Sequence, residues 1–136
     1  MFKVEKILYF NERSSTRKND IVYKIYDIVI DCEDGPFKSK FILGTIEMEF
    51  DEELKIISVE KYDINIAYNC LDLLLPVLNI ALSLVSCLGY RILVIGNNII
   101  KSEDDERIIR NLSFETNTTS SDDMVLYTKD TKNLYK

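Results

Sequence analysis

The chain of 136 residues contains no histidine. That absence excludes Ser–His–Asp and Cys–His nucleophilic sites, because no imidazole remains to take the nucleophile's proton. Histidine-containing zinc sites are excluded too, and three scattered cysteines cannot complete a four-thiolate site. Those cysteines, Cys32, Cys70 and Cys87, fit free thiols in a reducing compartment. Cys70 and Cys87 stand in apolar sequence and read as small buried hydrophobes. The N-terminal MFKVEKILYFNERSS lacks a basic segment followed by a long apolar one, so a cytoplasmic location is expected. Basic residues are in deficit, 17 Lys and Arg against 23 Asp and Glu, a net charge of −6. A nucleic-acid binder held by phosphate neutralisation needs a basic face, and an anionic membrane repels an acidic one. Neither partner is expected. Chemistry, if any, rests on carboxylates, tyrosine, lysine, cysteine or a bound cofactor. Glycine and proline are scarce, 4 and 2 residues, and 46% of the chain is apolar. Length and composition together predict one globular domain over residues 1–136.

The longest apolar run is 71–88, LDLLLPVLNIALSLVSCL, broken only by Asp72, Asn79, Ser83 and Ser86. Its uninterrupted part falls short of the about 20 apolar residues that span a bilayer, so a core helix is predicted. Pro76 either kinks that helix or belongs to the first turn of one starting near Leu75; Gly89 ends it. A helix this apolar needs cover on more than one side. Leu74, Val77, Leu78, Ala81, Leu82 and Val85 are therefore expected to self-associate, as a homodimer about a two-fold axis. The competing outcome folds the N-terminal strand and residues 11–20 back over them.

Residues 2–10 read as a strand and 11–20, NERSSTRKND, as a loop with solvated Arg13, Arg17 and Lys18. The β-branched and aromatic stretch 21–31 predicts a second strand, and Asp34-Gly35-Pro36 a turn. From Phe41 to Phe50 the alternation is clean, with Ile42, Gly44, Ile46, Met48 and Phe50 on one face. Asp51, Glu52 and Glu53 make an acidic turn before a strand at 54–62, completing an antiparallel meander over 21–62. YRILVI at 90–95 predicts a short strand. Ser102 caps a helix to residue 112 whose first turn carries Glu103, Asp104, Asp105 and Glu106. ETNTTSSDD reads as a polar loop and 124–129 as a last strand. The class is α+β, a mixed sheet with one central helix and a shorter C-terminal one.

This order resembles the GNAT family of acetyl-CoA-dependent N-acetyltransferases, best from about Ile21 to Lys129. RIIRNLSFE at 107–115 with MVLYTK at 124–129 looks like that family's helix ending in a Leu-Gly-Phe step before a hydrophobic strand. GYRILVIGNN at 89–98 looks like the strand preceding that helix. The resemblance implies acetyl-CoA held at the N-terminus of the central helix by an Arg/Gln-x-x-Gly-x-Gly/Ala loop, whose backbone N–H groups converge on phosphate. Here the loop reads DINIAYNCLDLL, with no glycine and no basic residue, and Asp63 and Asp72 bring negative charge. Ala67, Tyr68 and Asn69 are the residues the resemblance would assign to the cofactor. With Ser113 at the family's glycine, its tyrosine acid falls on Ile109, which donates no proton, and its asparagine on Ser102. The helical region usual between the family's first two strands is reduced to ten residues.

Two functions follow. One is a non-catalytic binding module without cofactor, engaging a basic surface of another protein; a phage or mobile-element inhibitor is one version. Its acids would be Asp51, Glu52, Glu53, Asp104, Asp105 and Glu106. The other is a divergent acetyl-CoA-dependent N-acetyltransferase with Glu47, Glu49 or Glu60 as base toward an amine.

Overall fold

The structure is a computed structural model, and it describes residues 4–68, 71–118 and 125–130. Four long strands come first: β1 (Val4–Lys18), β2 (Ile21–Asp34), β3 (Phe37–Asp51) and β4 (Ile56–Ile64). Two-residue turns join the first three, and each places a residue that tolerates the left-handed region there: Asn19 at φ 59° and Gly35 at φ 59°. The third turn uses Lys55 at φ 60°. Then follow α1 (Leu74–Cys87), β5 (Ile92–Gly96), α2 (Glu103–Asn111), β6 (Glu115–Thr118) and β7 (Val125–Asp130), with 3₁₀ turns at Ile66–Tyr68 and Asn97–Ile99. The seven strands form one sheet in the order β1-β2-β3-β4-β5-β7-β6. Every pairing is antiparallel except β4 with β5.

The expected meander and both helices are present, and several expectations need correction. On β3, Ile42 is exposed and Leu43 takes the core place expected of it, because Leu43 is an extra residue where the β2–β3 ladder shifts. Residues 11–18 are strand, not loop, because Lys18 pairs with Ile21 across the turn and the ladder continues back to Val4. Two of its charges are fixed rather than free: Arg13 is ion-paired to Asp27, and Arg17 grips both Glu52 oxygens at 2.7 and 3.0 Å. The polar stretch 115–118 is a strand paired to β7. Cys87 is exposed on the last turn of α1 rather than buried, and Cys32 is half-buried; Cys70 lies outside the described residues.

The core is built from alternate residues of the sheet, among them Ile28, Ile46, Met48, Phe50, Ile57 and Val59, closed over by α1. All six helix residues expected to self-associate are buried within the single chain: Leu74, Val77, Leu78, Ala81, Leu82 and Val85 are each 9% exposed or less. The chain's own sheet covers that stripe, so it is not free for a second copy. Truncating Leu78 there would cost about 2–5 kcal/mol. Among the described residues no helix is long and apolar enough to cross a membrane.

Both helices close the same way. At α1, Gly89 (φ 78°) donates to Ser86 O and Tyr90 to Val85 O; at α2, Ser113 (φ 67°) donates to Arg110 O and Phe114 to Ile109 O. In each case a left-handed residue turns the chain and an apolar one follows it.

Candidate site at the parallel strand pair

β4 and β5 pair only from Ile56–Val59 against Ile92–Ile95. Beyond this, Glu60 is an extra residue in the β3–β4 ladder, since Glu47 pairs with Lys61 and Met48 with Val59. β4 runs on to Ile64 while β5 turns off at Asn97, so the two strands part. Asn98 spans the start of the opening, its Nδ2 donating to Glu60 O at 3.2 Å. Further along lies a pocket of about 240 Å³ lined by Tyr62, Ile64, Leu71–Leu74, Lys101 and Asp105.

The pocket's electrostatics favour cations over anions. Asp72 and Asp105 line it, and Asp63 stands beside it, 3.8 Å from Lys101 Nζ and 3.8 Å from Lys61 Nζ. Burial, with the charges of Asp105 and Asp72 behind it, pushes the Tyr62 phenol up to about 12. At the N-terminus of α1, Pro76 removes one of the first-turn N–H donors, and Leu73 supplies no side-chain cap. Helix α1 begins at Leu74, so Pro76 sits in its first turn without a kink being needed.

The residues that the resemblance would make functional are otherwise employed. Ile109 is 0% exposed, a core residue. Ser102 Oγ accepts from Asp105 N at 3.2 Å and caps α2. Ala67 and Tyr68 form the 3₁₀ turn near the opening; Asn69 lies outside the described residues.

The structure gathers the three glutamates. Glu47, Glu49 and Glu60 stand on the sheet face opposite the core, alternating with Ile46, Met48 and Phe50. Tyr23 donates its phenol proton to Glu47, which pushes that phenol up to about 12. Glu60 is held above the usual carboxylate range, first by burial and then by its hydrogen bond and charge contact with Glu49. Of the three, Glu60 is nearest the opening, through its own carbonyl.

The acids expected to face a partner fall into two separate groups. Asp51, Glu53, Asp20 and Glu49 surround a pocket of about 500 Å³ with Lys18, Asn19 and Ile21. Asp51 also accepts from Glu53 N and Leu54 N at 3.1 and 3.0 Å. Glu52 is taken by Arg17. On α2, Asp104 and Glu106 pair with Arg107 and Arg110 at 3.5 and 2.6 Å, and Asp105 accepts from Lys101 N. The pocket at the parting strands was missed in the sequence, because Tyr62 and Lys101 lie far apart in the chain and only the parting of β4 from β5 brings them together.

No protein-family model and no curated protein matches the sequence. Solved structures do match. A putative acetyltransferase of the GNAT family from Desulfovibrio desulfuricans superposes at TM-score 0.56 with 15% identity, over 79% of this chain and 68% of that one. The spermidine N-acetyltransferase from Vibrio cholerae, in a dodecameric intermediate state, gives 0.57 with 12% identity over 87% and 71%. An N-acetyltransferase from Staphylococcus aureus gives 0.51 with 18% identity over 78% and 68%. The chain has the GNAT fold, in a form whose sequence has diverged from these acetyltransferases.

Proposed function

We propose that this chain is a GNAT-fold binding module that engages a basic surface of another protein and does not use acetyl-CoA. The observation that carries the reading is the charge at the α1 end of the opening. Asp63, Asp72 and Asp105 stand there against Lys101, so a diphosphate would meet carboxylates in place of converging N–H groups. The basic partner is supported by the other pocket. Among the described residues Asp20, Glu49, Asp51 and Glu53 form no ion pair and outnumber the one cation of the lining, Lys18, so the pocket attracts a cationic side chain. Calorimetry with acetyl-CoA is the test, with no heat of binding expected. Micromolar binding, competed by free CoA, would overturn the module.

One observation favours a second reading, a divergent N-acetyltransferase. Glu60 stands at the bulge beside the opening with its affinity for a proton raised, which suits a general base. Acetyl transfer to a small amine, lost in Glu60→Gln with the fold intact, would establish that reading in place of the first.

A further inference from the structure

β1 is the outer strand of the sheet. Among the described residues it pairs only with β2, so one row of N–H and C=O groups along a 15-residue strand faces outward. Exposed edges of that length template pairing with another chain unless they are broken or charged throughout. Here the ladder is broken once, between Glu12 and Ser14, and the stretch before it has neither proline nor glycine. Its middle is apolar. Ile7 is 61% exposed, and Leu8, Tyr9 and Phe10 are half-buried. Charges flank this middle on both sides, Glu5 and Lys6 before it and Glu12 and Arg13 after it.

The order of those charges is self-complementary. We infer that a second copy of this chain pairs with β1 edge to edge, antiparallel, about a two-fold axis through Tyr9. In that register Lys6 stands opposite the partner's Glu12, Glu5 opposite the partner's Arg13, Leu8 opposite the partner's Phe10, and Tyr9 opposite itself. Directly opposite residues share a face and lie within contact distance. The two-fold axis repeats each pair, giving four opposite-charge pairs around an apolar centre. Moving the axis to Leu8 sets Lys6 against the partner's Phe10 and Glu5 against the partner's Asn11, with no charge pair. Moving it to Phe10 sets Leu8 against the partner's Glu12 and Ile7 against the partner's Arg13. Of these three registers only the one through Tyr9 sets opposite charges against each other and Leu8 against the partner's Phe10, with Ile7 meeting the neutral Asn11.

The chain's own contacts leave this pairing open. Glu5 and Lys6 have no ion pair among the described residues, while Glu12 already holds Lys24 at 2.7 Å and Arg13 holds Asp27, both partners one strand inward. The partner's Lys6 and Glu5 extend those pairs into short networks across the new ladder. The result is a sheet continuous through both copies, joined along the outer row of β1 backbone groups. It holds whether or not the module reading is right.

The test is a mixing experiment followed by light scattering at micromolar concentration. The natural chain is expected at twice its 15.8 kDa mass. Lys6→Glu alone opposes two carboxylates at each of two positions, and Glu12→Lys alone opposes two ammonium groups, so each variant is expected as a monomer. An equimolar mixture restores both pairs and is expected to form the mixed dimer. Circular dichroism of each variant checks that the fold persists. Tyr9→Cys in a Cys87→Ser background gives an independent readout, expected to cross-link to a dimer on mild oxidation while Cys87→Ser alone, treated alike, does not. A monomeric natural chain, a dimer indifferent to Lys6→Glu, or folded variants that fail to associate when mixed would each overturn the inference.

Discussion

A Cβ built on Gly44 would lie 2.1 Å from the main-chain oxygen of Asp63 and 2.9 Å from the Ile64 Cα. β3 and β4 thus lie close together at the end of the meander, beside the opening that β4 makes with β5. Only a residue without a side chain fits between them. Gly44→Ala is expected to destabilise the fold by about 1–3 kcal/mol as the strands are pushed apart. Urea unfolding gives the size. Faster amide exchange over Tyr62–Ile64, with β1 and β2 unchanged, locates the damage; unaltered exchange there would contradict it.

The two helix ends make a matched pair of experiments. Gly89 and Ser113 hold the same left-handed turn, but only Ser113 has a Cβ to strain it. Ser113→Gly is expected to stabilise by about 1 kcal/mol, and Gly89→Ala to destabilise by a similar amount. Thermal unfolding reads both. If the two changes moved stability in the same direction, the turn geometry would not be the cause.

How much of this was legible depended on the range of the signal. The 3.6-period stripe of α1, the alternation of β3 from Gly44 onward and the Ser102 cap are local patterns and are present. Ile42 departs from its expected core face because Leu43 is an extra residue in the β2–β3 ladder and takes the core place instead. The stretch 11–18 was misread because its polar residues gave no alternation to see. It is a strand because its backbone pairs with β2 from Ile21 to Asp27, with Arg13 and Arg17 tied in addition to Asp27 and Glu52, partners 14 and 35 residues away. The apolar excess of α1 was read correctly as a need for cover, but the cover is the chain's own sheet. Glu47 and Glu49 were visible as one face of β3. Nothing local announced that a bulge would bring Glu60 against them, or that Tyr23 would donate to Glu47.

Stability is expected to fall steeply at high pH. Tyr23, Tyr26 and Tyr62 are each pushed up to about 12 from the usual 10.0. For Tyr23 the hydrogen bond to Glu47 leads; for the other two burial does. Below pH 10 the phenols are protonated in both states and the folded chain keeps the full benefit. Between about 10 and 12 the unfolded chain releases protons that the fold retains, so stability drops as pH rises. Tyr23→Phe is expected to flatten that slope. A tyrosinate absorbance titration of the folded protein with every phenol ionising near 10 would refute the shifts.

Among the described residues Asp27 is the charged residue most enclosed, 9% exposed, and its carboxylate is ion-paired to Arg13 on the neighbouring strand. A carboxylate left unpaired in that position loses its partner without regaining water. Arg13→Ala is therefore expected to destabilise by about 2 kcal/mol, far more than loss of an ordinary surface charge. Asp27→Asn in the same chain removes the buried charge, so the double variant should recover part of the loss. Chemical unfolding of the natural chain, both single variants and the double variant closes the cycle. A double variant whose loss equals the sum of the two single losses would show that Arg13 supports β1 through packing of its stem, and that the ion pair is incidental.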